Sequence, residues 1–468
     1  GAEGLQGWQI QYHDDAVSIF GLSAVDPETV WAVGRTAGDS PQSLALRSTD
    51  GGESWEISYP GVPTLLTCAS ASSDEVCWAG GYGCIVKTED GGDTWEMRIA
   101  ADGYYVTDIS AVDARTCWAV GYLTASGPDF NGFIVKTEDG GDTWEVQASG
   151  IPCPLTGVCA VDGLNCWVCG GFFSPGLTWP PVPPAVAGRL MRTADGGSSW
   201  RELGEEGHAY YRLSVPDPGN VWVAGLRADL SNPWDSRTEI YRSRDGGSSW
   251  DAYPTAFGPW TYNSGGLCAV DGDTAWLAAH PYYGSNVISR SDDGGATWTA
   301  QAEGPVAFTD IAAADSMTAW ACGSDPTNLG MYGRGHILHT SDGGWKPSPR
   351  IEALSPSSGM AGDDVTLSGN GFGERESFCK VRFGNLDAPV ISWSDDAIAC
   401  RVPDGVSPGP LEVTVITGGG ASNSAPFTVE ERTVIMGFVG YAAHASYLEG
   451  IRVAVHDLDG DLLAAALT

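Results

Sequence analysis

The sequence predicts an all-β protein, and three observations support that fold class. Two short motifs, each ending in or centred on a tryptophan, alternate along the first three quarters of the chain. Apolar segments of strand length lie between them, separated by turns rich in Asp, Gly and Pro. No amphipathic helix of convincing length occurs between residues 1 and 350, and the remainder also reads as short alternating strands. The chain therefore divides into a repeated all-β region and a non-repeated one.

The first motif is a turn segment with Ser or Thr, any residue, Asp-Gly-Gly, any residue, a small polar residue and Trp. KTEDGGDTWE occurs at 87–96 and again at 136–145. The Asp side chain accepts backbone hydrogen bonds in such turns, and Gly supplies the positive φ that a hairpin turn requires. Many copies do not make one active site, so we predict a structural role. The members are Asp50, Asp90, Asp139, Asp195, Asp245, Asp293 and Asp342, with Trp55, Trp95, Trp144, Trp200, Trp250 and Trp298.

The second motif is a strand such as VDPETVWAVG, which occurs seven times. We number the repeats from one to seven by the tryptophan of this motif. Those residues are Trp31, Trp78, Trp118, Trp167, Trp222, Trp276 and Trp320, spaced 40 to 55 residues apart. A period of this length with several short strands per unit is typical of β-propeller blades. We therefore predict a seven-bladed β-propeller over residues 1–347.

The N-terminus is expected to close the ring. No apolar strand follows the seventh turn in register, whereas residues 7–26 align with residues 94–113 of an internal repeat. Trp8 then resembles a displaced partner of the other turn tryptophans. A first strand that completes the last blade removes an exposed sheet edge.

These turns resemble the Asp-box, or BNR repeat, of sialidases, sortilin-type receptors, some glycoside hydrolases and YCF48-type photosystem assembly factors. The pairing of DGGxTW with a WAVG strand is most similar to the YCF48-like group. The resemblance implies that the box is a fold element remote from any ligand.

Residues 351–430 resemble the IPT/TIG domain, an immunoglobulin-like sandwich, in the segments SPSSG, LSGNGFG, VRFG and CRVP. Short strands separated by Gly, Pro and Asp turns predict the same all-β architecture. Cys379 and Cys400 fall on strand positions of this domain, and we predict a disulfide between them.

Residues 432–468 predict three strands, at 434–441, 451–456 and 462–468. Their Gly pattern resembles the start of a carboxypeptidase-regulatory-like domain. Three strands do not close a two-sheet core. We expect that the chain continues, with strand exchange between subunits, and hence self-assembly, as the alternative. The DLDGD segment suggests a Ca²⁺ loop, but it lacks the distal Glu of an EF-hand, so no cofactor is predicted.

The formal net charge is −35, with 59 acidic and 24 basic residues. Such a field repels nucleic acid and anionic membranes, and no run of 18 apolar residues predicts a membrane span. The carboxylates are spread along the chain, which favours a solubility surface over a surface for a cation or a basic partner.

Twelve cysteines in an all-β chain favour an extracellular or cell-surface location. Besides the pair in the sandwich, we predict disulfides between Cys159 and Cys166 and between Cys68 and Cys77. A zinc site at Cys166 and Cys169 is disfavoured, because residues three apart on a strand face opposite sides. No metal site is predicted.

The sequence contains no HExxH, no GxSxG and no sialidase RIP motif. A two-carboxylate glycoside hydrolase remains an alternative, because it needs only an acid and a base at a set separation. His336 and His339 lie three apart on a predicted strand and fail the same-face test for a metal pair. No catalytic residue is predicted.

We therefore predict a non-catalytic interaction or adhesion protein that binds a protein or glycan at the cell surface. A structural subunit of an extracellular filament or layer is a further alternative. Long insertions at 123–132, 172–188, 227–237 and 280–286 follow the WAVG-type strand and should project from one rim. The candidate binding residues there are Phe130, Trp179, Trp234, Tyr282 and Tyr283.

Overall fold

The structure is a computed structural model that describes residues 7–467, apart from several internal segments. The segments not described are 39, 125–130, 175–184, 230–235, 256–260, 282–285, 305, 325–333, 345–348, 373–378, 418–419, 431–451 and 457–461. Every regular element among the described residues is a strand, which confirms the all-β fold class. None of the described residues forms a helix that could cross a membrane.

The repeated region forms antiparallel sheets that follow one another along the chain. The first contains β2 (Val17–Ala24), β3 (Val30–Thr36), β4 (Ser43–Ser48) and β5 (Glu56–Ser58). The second contains β6 (Leu66–Ala71), β7 (Cys77–Thr88), β8 (Glu96–Ala111), β9 (Cys117–Leu123), β10 (Gly132–Thr137) and β11 (Glu145–Ile151). The third contains β12 (Leu155–Ala160), β13 (Cys166–Ser174), β14 (Ala185–Thr193) and β15 (Arg201–Glu202).

Three further four-stranded sheets complete this region. One contains β16 (His208–Asp217), β17 (Asn220–Arg227), β18 (Arg237–Ser243) and β19 (Asp251–Pro254). The next contains β20 (Thr261–Ala269), β21 (Ala275–Pro281), β22 (Asn286–Ser291) and β23 (Thr299–Gly304). The last contains β24 (Ala307–Ala313), β25 (Ala319–Ser324), β26 (Gly335–Thr340) and the N-terminal β1 (Gln9–Asp14), which pairs antiparallel with β26.

The six-stranded sheet holds repeats two and three together. One part of β7 pairs with β6 and the other with β8, and β8 in turn pairs with β7 and then with β9. β7 and β8 therefore each correspond to two consecutive strands of the other repeats. Gly83, where φ is 69°, lies in β7 close to the point at which the pairing changes from β6 to β8.

The first strands of the repeats form a closed ring, which defines a β-propeller. β2 contacts β6, β6 contacts β8, and the series continues through β12, β16, β20 and β24 back to β2. In all seven first strands the register with the second strand shifts at the same point, which leaves one extra residue as a β-bulge. The bulged residues are Phe20, Thr67, Thr107, Thr156, Tyr211, Gly265 and Thr309.

The core lies between neighbouring sheets. The seven strand tryptophans are fully buried, and those of repeats one, two, three and five meet the box tryptophan of the following repeat edge to face at about 6 Å. Trp8 is 2% exposed and shares a core cluster with Trp276. It therefore occupies the position that a box tryptophan fills elsewhere.

The sandwich domain has two sheets around one core. One contains β27 (Arg350–Ser355), β29 (Asp364–Asn370), β33 (Ala397–Arg401) and β32 (Val390–Trp393). The other contains β28 (Ser358–Gly359), β36 (Ala425–Val429), β34 (Gly409–Thr417), β30 (Lys380–Phe383) and β31 (Leu386–Asp387), with β35 (Gly420–Ala421) paired to β34. Fifteen buried residues from both sheets form its core.

Beyond the sandwich, β37 (Arg452–His456) pairs antiparallel with β38 (Leu462–Leu467). These match two of the three strands predicted there. The predicted strand at 434–441 lies outside the described residues.

Candidate functional site

The Asp-box turns are organised around their carboxylate, as the third copy shows. Asp139 Oδ1 accepts hydrogen bonds from Thr137 Oγ1 (2.8 Å) and from the backbone N–H of Thr143 (2.9 Å). Its Oδ2 accepts from Thr143 Oγ1 (2.6 Å), and Thr137 Oγ1 accepts from Gly141 N (2.9 Å). The same pattern recurs at Asp50, Asp90, Asp195, Asp245 and Asp293.

The seventh box is shorter, because its sequence lacks the hydroxyl residue before the tryptophan. Asp342 accepts hydrogen bonds from Thr340 Oγ1 (2.8 Å) and from Gly344 N (3.0 Å). In the complete boxes the donated hydrogen bonds lower the pKa of the carboxyl. The Ser54 hydroxyl and backbone bring the pKa of Asp50 to about 2.

Each box turn is also tied to the turn that joins the first two strands of its own repeat. Gly140 N donates to Arg115 O at 2.9 Å, and corresponding bonds are made by Gly51, Gly91, Gly196, Gly246, Gly294 and Gly343. Because successive turns of an antiparallel sheet lie at opposite ends, these two sets of turns share one face of the propeller. We call it the box face. The hairpins after the second strands, which carry the insertions, lie on the other side, the insertion face.

A buried cation links each repeat to the next on the box face. Lys136 Nζ lies 4.7 Å from the Trp118 ring centroid and donates to Gly163 O at 2.8 Å. It also reaches Gly196 O, in the box of the next repeat, at 3.5 Å, and pairs with Glu138. The equivalent pairs are Arg47 with Trp31, Lys87 with Trp78, Arg192 with Trp167, Arg242 with Trp222 and Arg290 with Trp276.

The closing repeat replaces this cation by a histidine. The His339 ring stacks on Trp320 with centroids 4.9 Å apart, and burial lowers the pKa of His339. His336 instead stacks on His13 of the neighbouring strand at 4.4 Å. The two histidines therefore have separate neighbours, and no group of three metal-ligating side chains occurs among the described residues.

The disulfide predictions are wrong for this structure, in which all twelve cysteines are free thiols. Cys159 lies opposite Trp167, so it is out of register with Cys166. Cys68 lies opposite Gly80, and Cys77 lies opposite Ala71, three positions along the hairpin.

The third predicted disulfide is also absent. Cys379, which precedes β30, and Cys400, in β33, are both buried, and both are free thiols. Cys166 and Cys169 lie in different core clusters, on opposite sides of their sheet, as the strand period predicts.

The propeller axis carries three ionisable side chains directly after bulges. Asp108, Arg212 and Asp310 come from repeats three, five and seven, yet Arg212 acts electrostatically on both carboxyls. The guanidinium therefore lies within electrostatic range of both carboxyls. The equivalent residues of the other repeats are Gly21, Cys68, Gly157 and Gly266.

Both axial carboxyls tie neighbouring first strands together. Asp108 accepts hydrogen bonds from Ile109 N (2.9 Å) and from Val158 N of the next repeat (2.8 Å). Asp310 accepts in the same way from Ile311 N and from Leu22 N, both at 2.9 Å. The second bond crosses the point where the ring closes.

Protein surrounds both axial carboxyls, although each keeps some surface toward the channel. This burial raises the pKa of Asp108 to about 6 and the pKa of Asp310 to about 7, against the opposing effects of Arg212 and the backbone donors.

A pocket of about 440 Å³ lies between the sheets of repeats four and five and reaches toward the insertion face. His208, Tyr210 and Tyr241 form an aromatic cluster in its wall, with ring centroids 5.5 to 6.2 Å apart. Trp250 also lines it. Glu239, only 7% exposed, accepts a hydrogen bond from Tyr241 Oη at 2.9 Å.

The insertion face carries a second aromatic patch. Tyr82, Tyr105 and Tyr122 lie in register on three neighbouring strands. The Tyr105 and Tyr122 rings stack at 5.4 Å, and Tyr82 is exposed.

The five candidate rim residues of the sequence analysis, Phe130, Trp179, Trp234, Tyr282 and Tyr283, lie outside the described residues. Sequence reasoning did not identify Glu239, Tyr241 or the axial groups. An alignment of the seven repeats against one another would have marked Glu239, because it places a carboxylate where four other repeats have an apolar residue.

Comparison with known proteins identifies the sandwich. Residues 349–429 match the family model of the IPT/TIG domain. The chain is 38% identical over 78 residues to cyclomaltodextrin glucanotransferase of Geobacillus stearothermophilus, a match covering 17% of this chain. A Bacillus enzyme of the same name is 36% identical over 90 residues, or 19% of this chain. The matches span only about a tenth of the length of these relatives.

Solved structures similar to the chain include YCF48 from Cyanidioschyzon merolae, with 17% identity and a TM-score of 0.48. That match covers 71% of this chain and 98% of the other. The GH74 xyloglucanase of Xanthomonas campestris matches with 15% identity and a TM-score of 0.43, over 87% of this chain and 72% of that one. The fold assignment above stands on the strand pairing and the closed ring.

Proposed function

We propose that this chain is a non-catalytic binding protein, secreted or displayed at the cell surface, that engages a protein or glycan partner through the insertion face. The observation that carries the proposal is the difference between the two faces of the propeller. The box face uses its polar groups in hydrogen bonds between turns and between repeats. The insertion face has the aromatic pocket and the tyrosine patch, of which Tyr82 is exposed.

The proposed architecture has seven blades, because seven first strands form the ring and seven boxes follow the third strands. The six-stranded sheet then counts as two blades. We assign the Asp-box propeller to residues 1–347, the Ig-like domain, as a stalk, to residues 351–430 and a partial β-domain to residues 432–468.

The axial groups support a structural role over a catalytic one. A glycoside hydrolase needs an acid and a base that are free to face a sugar and a water molecule. Asp108 and Asp310 instead accept two backbone hydrogen bonds each and join neighbouring strands.

The acidic, all-β architecture supports the proposed extracellular location. The cysteines give it no support, because they are free thiols and not disulfides. The proposed partners exclude nucleic acid, which a net charge of −35 would repel.

Incubation with a panel of polysaccharides that includes xyloglucan and starch tests the non-catalytic proposal. We expect no release of reducing ends above a heat-denatured control. Turnover that a single carboxylate substitution abolishes would overturn it and establish a hydrolase.

A structural subunit is the second candidate, and the C-terminal hairpin favours it. Among the described residues, β37 and β38 pair only with each other, and an isolated two-stranded hairpin is marginally stable. Sedimentation of the full chain separates the candidates. Monomers support the binding protein, whereas polymers that dissociate when residues 432–468 are deleted support the subunit.

A further inference from the structure

Glu239 is a carboxylate at a buried position that four other repeats fill with an apolar residue, whereas repeats four and seven have Arg189 and His336 there. Glu239 lies opposite Gly225, three residues after the strand tryptophan. The equivalent residues Leu44, Cys84, Phe133 and Val287 are apolar and at most 7% exposed. A buried carboxylate is costly unless it is paired or hydrogen-bonded. The fold therefore does not require Glu239, since four repeats fill the same position with an apolar side chain.

Among the described residues, one side chain donates a hydrogen bond to Glu239. Tyr241 Oη donates to Oε2, and no described Lys or Arg side chain makes an ion pair with this carboxylate. A carboxylate has about four acceptor positions. The described residues therefore leave acceptor positions that a group entering the pocket could use.

The walls of the pocket suit a cation. Tyrosine and tryptophan faces attract a cation placed over the ring, by the same chemistry that holds Lys136 over Trp118. Tyr210, Tyr241 and Trp250 supply such rings around Glu239. Burial raises the pKa of Tyr210 to about 12, so this phenol stays neutral.

The charges around the pocket also favour a cationic ligand. Its lining contains the carboxylates of Glu205, Glu206 and Glu239 and a single guanidinium, that of Arg227. The local excess of negative charge agrees in sign with the whole chain, so a cationic ligand is attracted at long range and at contact.

We infer that this pocket binds an organic cation of the size of a lysine or arginine side chain, presented by a basic partner protein. Glu239 accepts its N–H groups, and the aromatic rings cover its apolar stem. The inference deepens the proposed function and rests on it, because it names the chemistry that the insertion face recognises.

Titration calorimetry of the full chain tests this inference with N-acetyl-arginine methylamide and N-acetyl-lysine methylamide. The neutral isostere N-acetyl-citrulline methylamide is the matched ligand control. We expect heat from at least one cationic probe and an affinity for citrulline at least about tenfold weaker. Equal binding of the neutral probe, or no binding of either cation, would overturn the inference.

The Glu239→Gln variant should bind the cationic probe with at least about tenfold lower affinity, because a charge-assisted hydrogen bond becomes a neutral one. Glu303→Gln removes the same charge from the exposed outer strand of repeat six and should stay within about twofold of the parent. If Glu239→Gln unfolds, Glu239→Leu installs the residue that repeat one has at this position. Equal losses from Glu239 and Glu303 substitutions would show long-range attraction without a site.

These results are independent of the polysaccharide assay. If neither cationic probe binds and no polysaccharide is hydrolysed, the cation site is refuted but the proposal of a binding protein stands. Hydrolysis removes the proposed function whatever the probes do.

Discussion

The two faces of the propeller are built from the same strands but differ in how their polar groups are used. On the box face, each turn satisfies its own carboxylate and bonds the neighbouring turn, and five of the turns also receive a cation from the preceding repeat. On the insertion face, loop lengths differ between repeats, and the pocket at Glu239 occurs between repeats four and five.

This difference separates the requirements of folding from those of binding. A feature present in all repeats stabilises the ring, because each copy faces a different direction. A feature present in one repeat occurs at a single place on the ring, so it can form a binding site for a ligand. Substitutions on the box face should therefore change stability alone, whereas those at the pocket should change affinity.

The largest stability effect is expected at the strand tryptophans. Trp118 is fully buried between two repeats, so Trp118→Ala should lower the free energy of unfolding by about 3–5 kcal/mol. Guanidinium unfolding measures this loss, with Leu386→Ala at an exposed sandwich position as a control. A loss below about 1 kcal/mol would contradict the assigned packing.

The axial carboxyls and the box carboxyls should make stability depend on pH in opposite directions. The raised pKa values of Asp108 and Asp310 mean that their contribution to stability is fully present below about pH 4 and is lost as the pH rises through about 6 and about 7. The lowered pKa of Asp50 means that its contribution is present above about pH 4 and is lost as the pH falls through about 2.

Unfolding at about pH 5 and about pH 8 tests the axial part, with Asp310→Asn as the variant. The parent should lose more stability between the two conditions than the variant does. An identical difference in both proteins would show that Asp310 does not titrate in this range.

Loss of one inter-repeat cation should have a moderate effect. Lys136→Met leaves Gly163 O without its charged donor and should cost about 1–3 kcal/mol. Lys136→Arg is the matched control, because four other repeats use Arg at this position. Urea unfolding should rank the methionine variant below the arginine variant, and the reverse order would refute the network.

The smallest effect is expected at a box carboxylate. Asp139→Ala removes acceptors from Thr137 and Thr143 but leaves the tryptophan core in place, so it should lower the melting temperature less than Trp118→Ala does. Its affinity for the cationic probes should match that of the parent. A binding defect in the folded variant would make the box a functional site.

The sequence predicted the features whose chemistry is local. The Asp-Gly-Gly turns, the strand tryptophans and the sandwich are read from neighbouring residues in the sequence. The side-chain hydrogen bonds of the turns also close within five residues. The alignment of 7–26 with an internal repeat likewise anticipated the position of Trp8.

The features that it did not predict join residues from different repeats. Asp108 and Asp310 meet near Arg212 only once the ring is closed. The disulfides were mispredicted because sequence spacing does not fix the register that separates Cys68 from Cys77. Glu239 required a comparison between repeats, since its significance is a departure from its apolar counterparts.

Amide hydrogen exchange of the full chain, with and without saturating N-acetyl-arginine methylamide, tests most directly whether the two faces have separate roles. We predict added protection in 205–210 and 239–241, around the pocket, and unchanged exchange in the box turns, including 137–143. Protection of the box turns with no change around Glu239 would contradict this account.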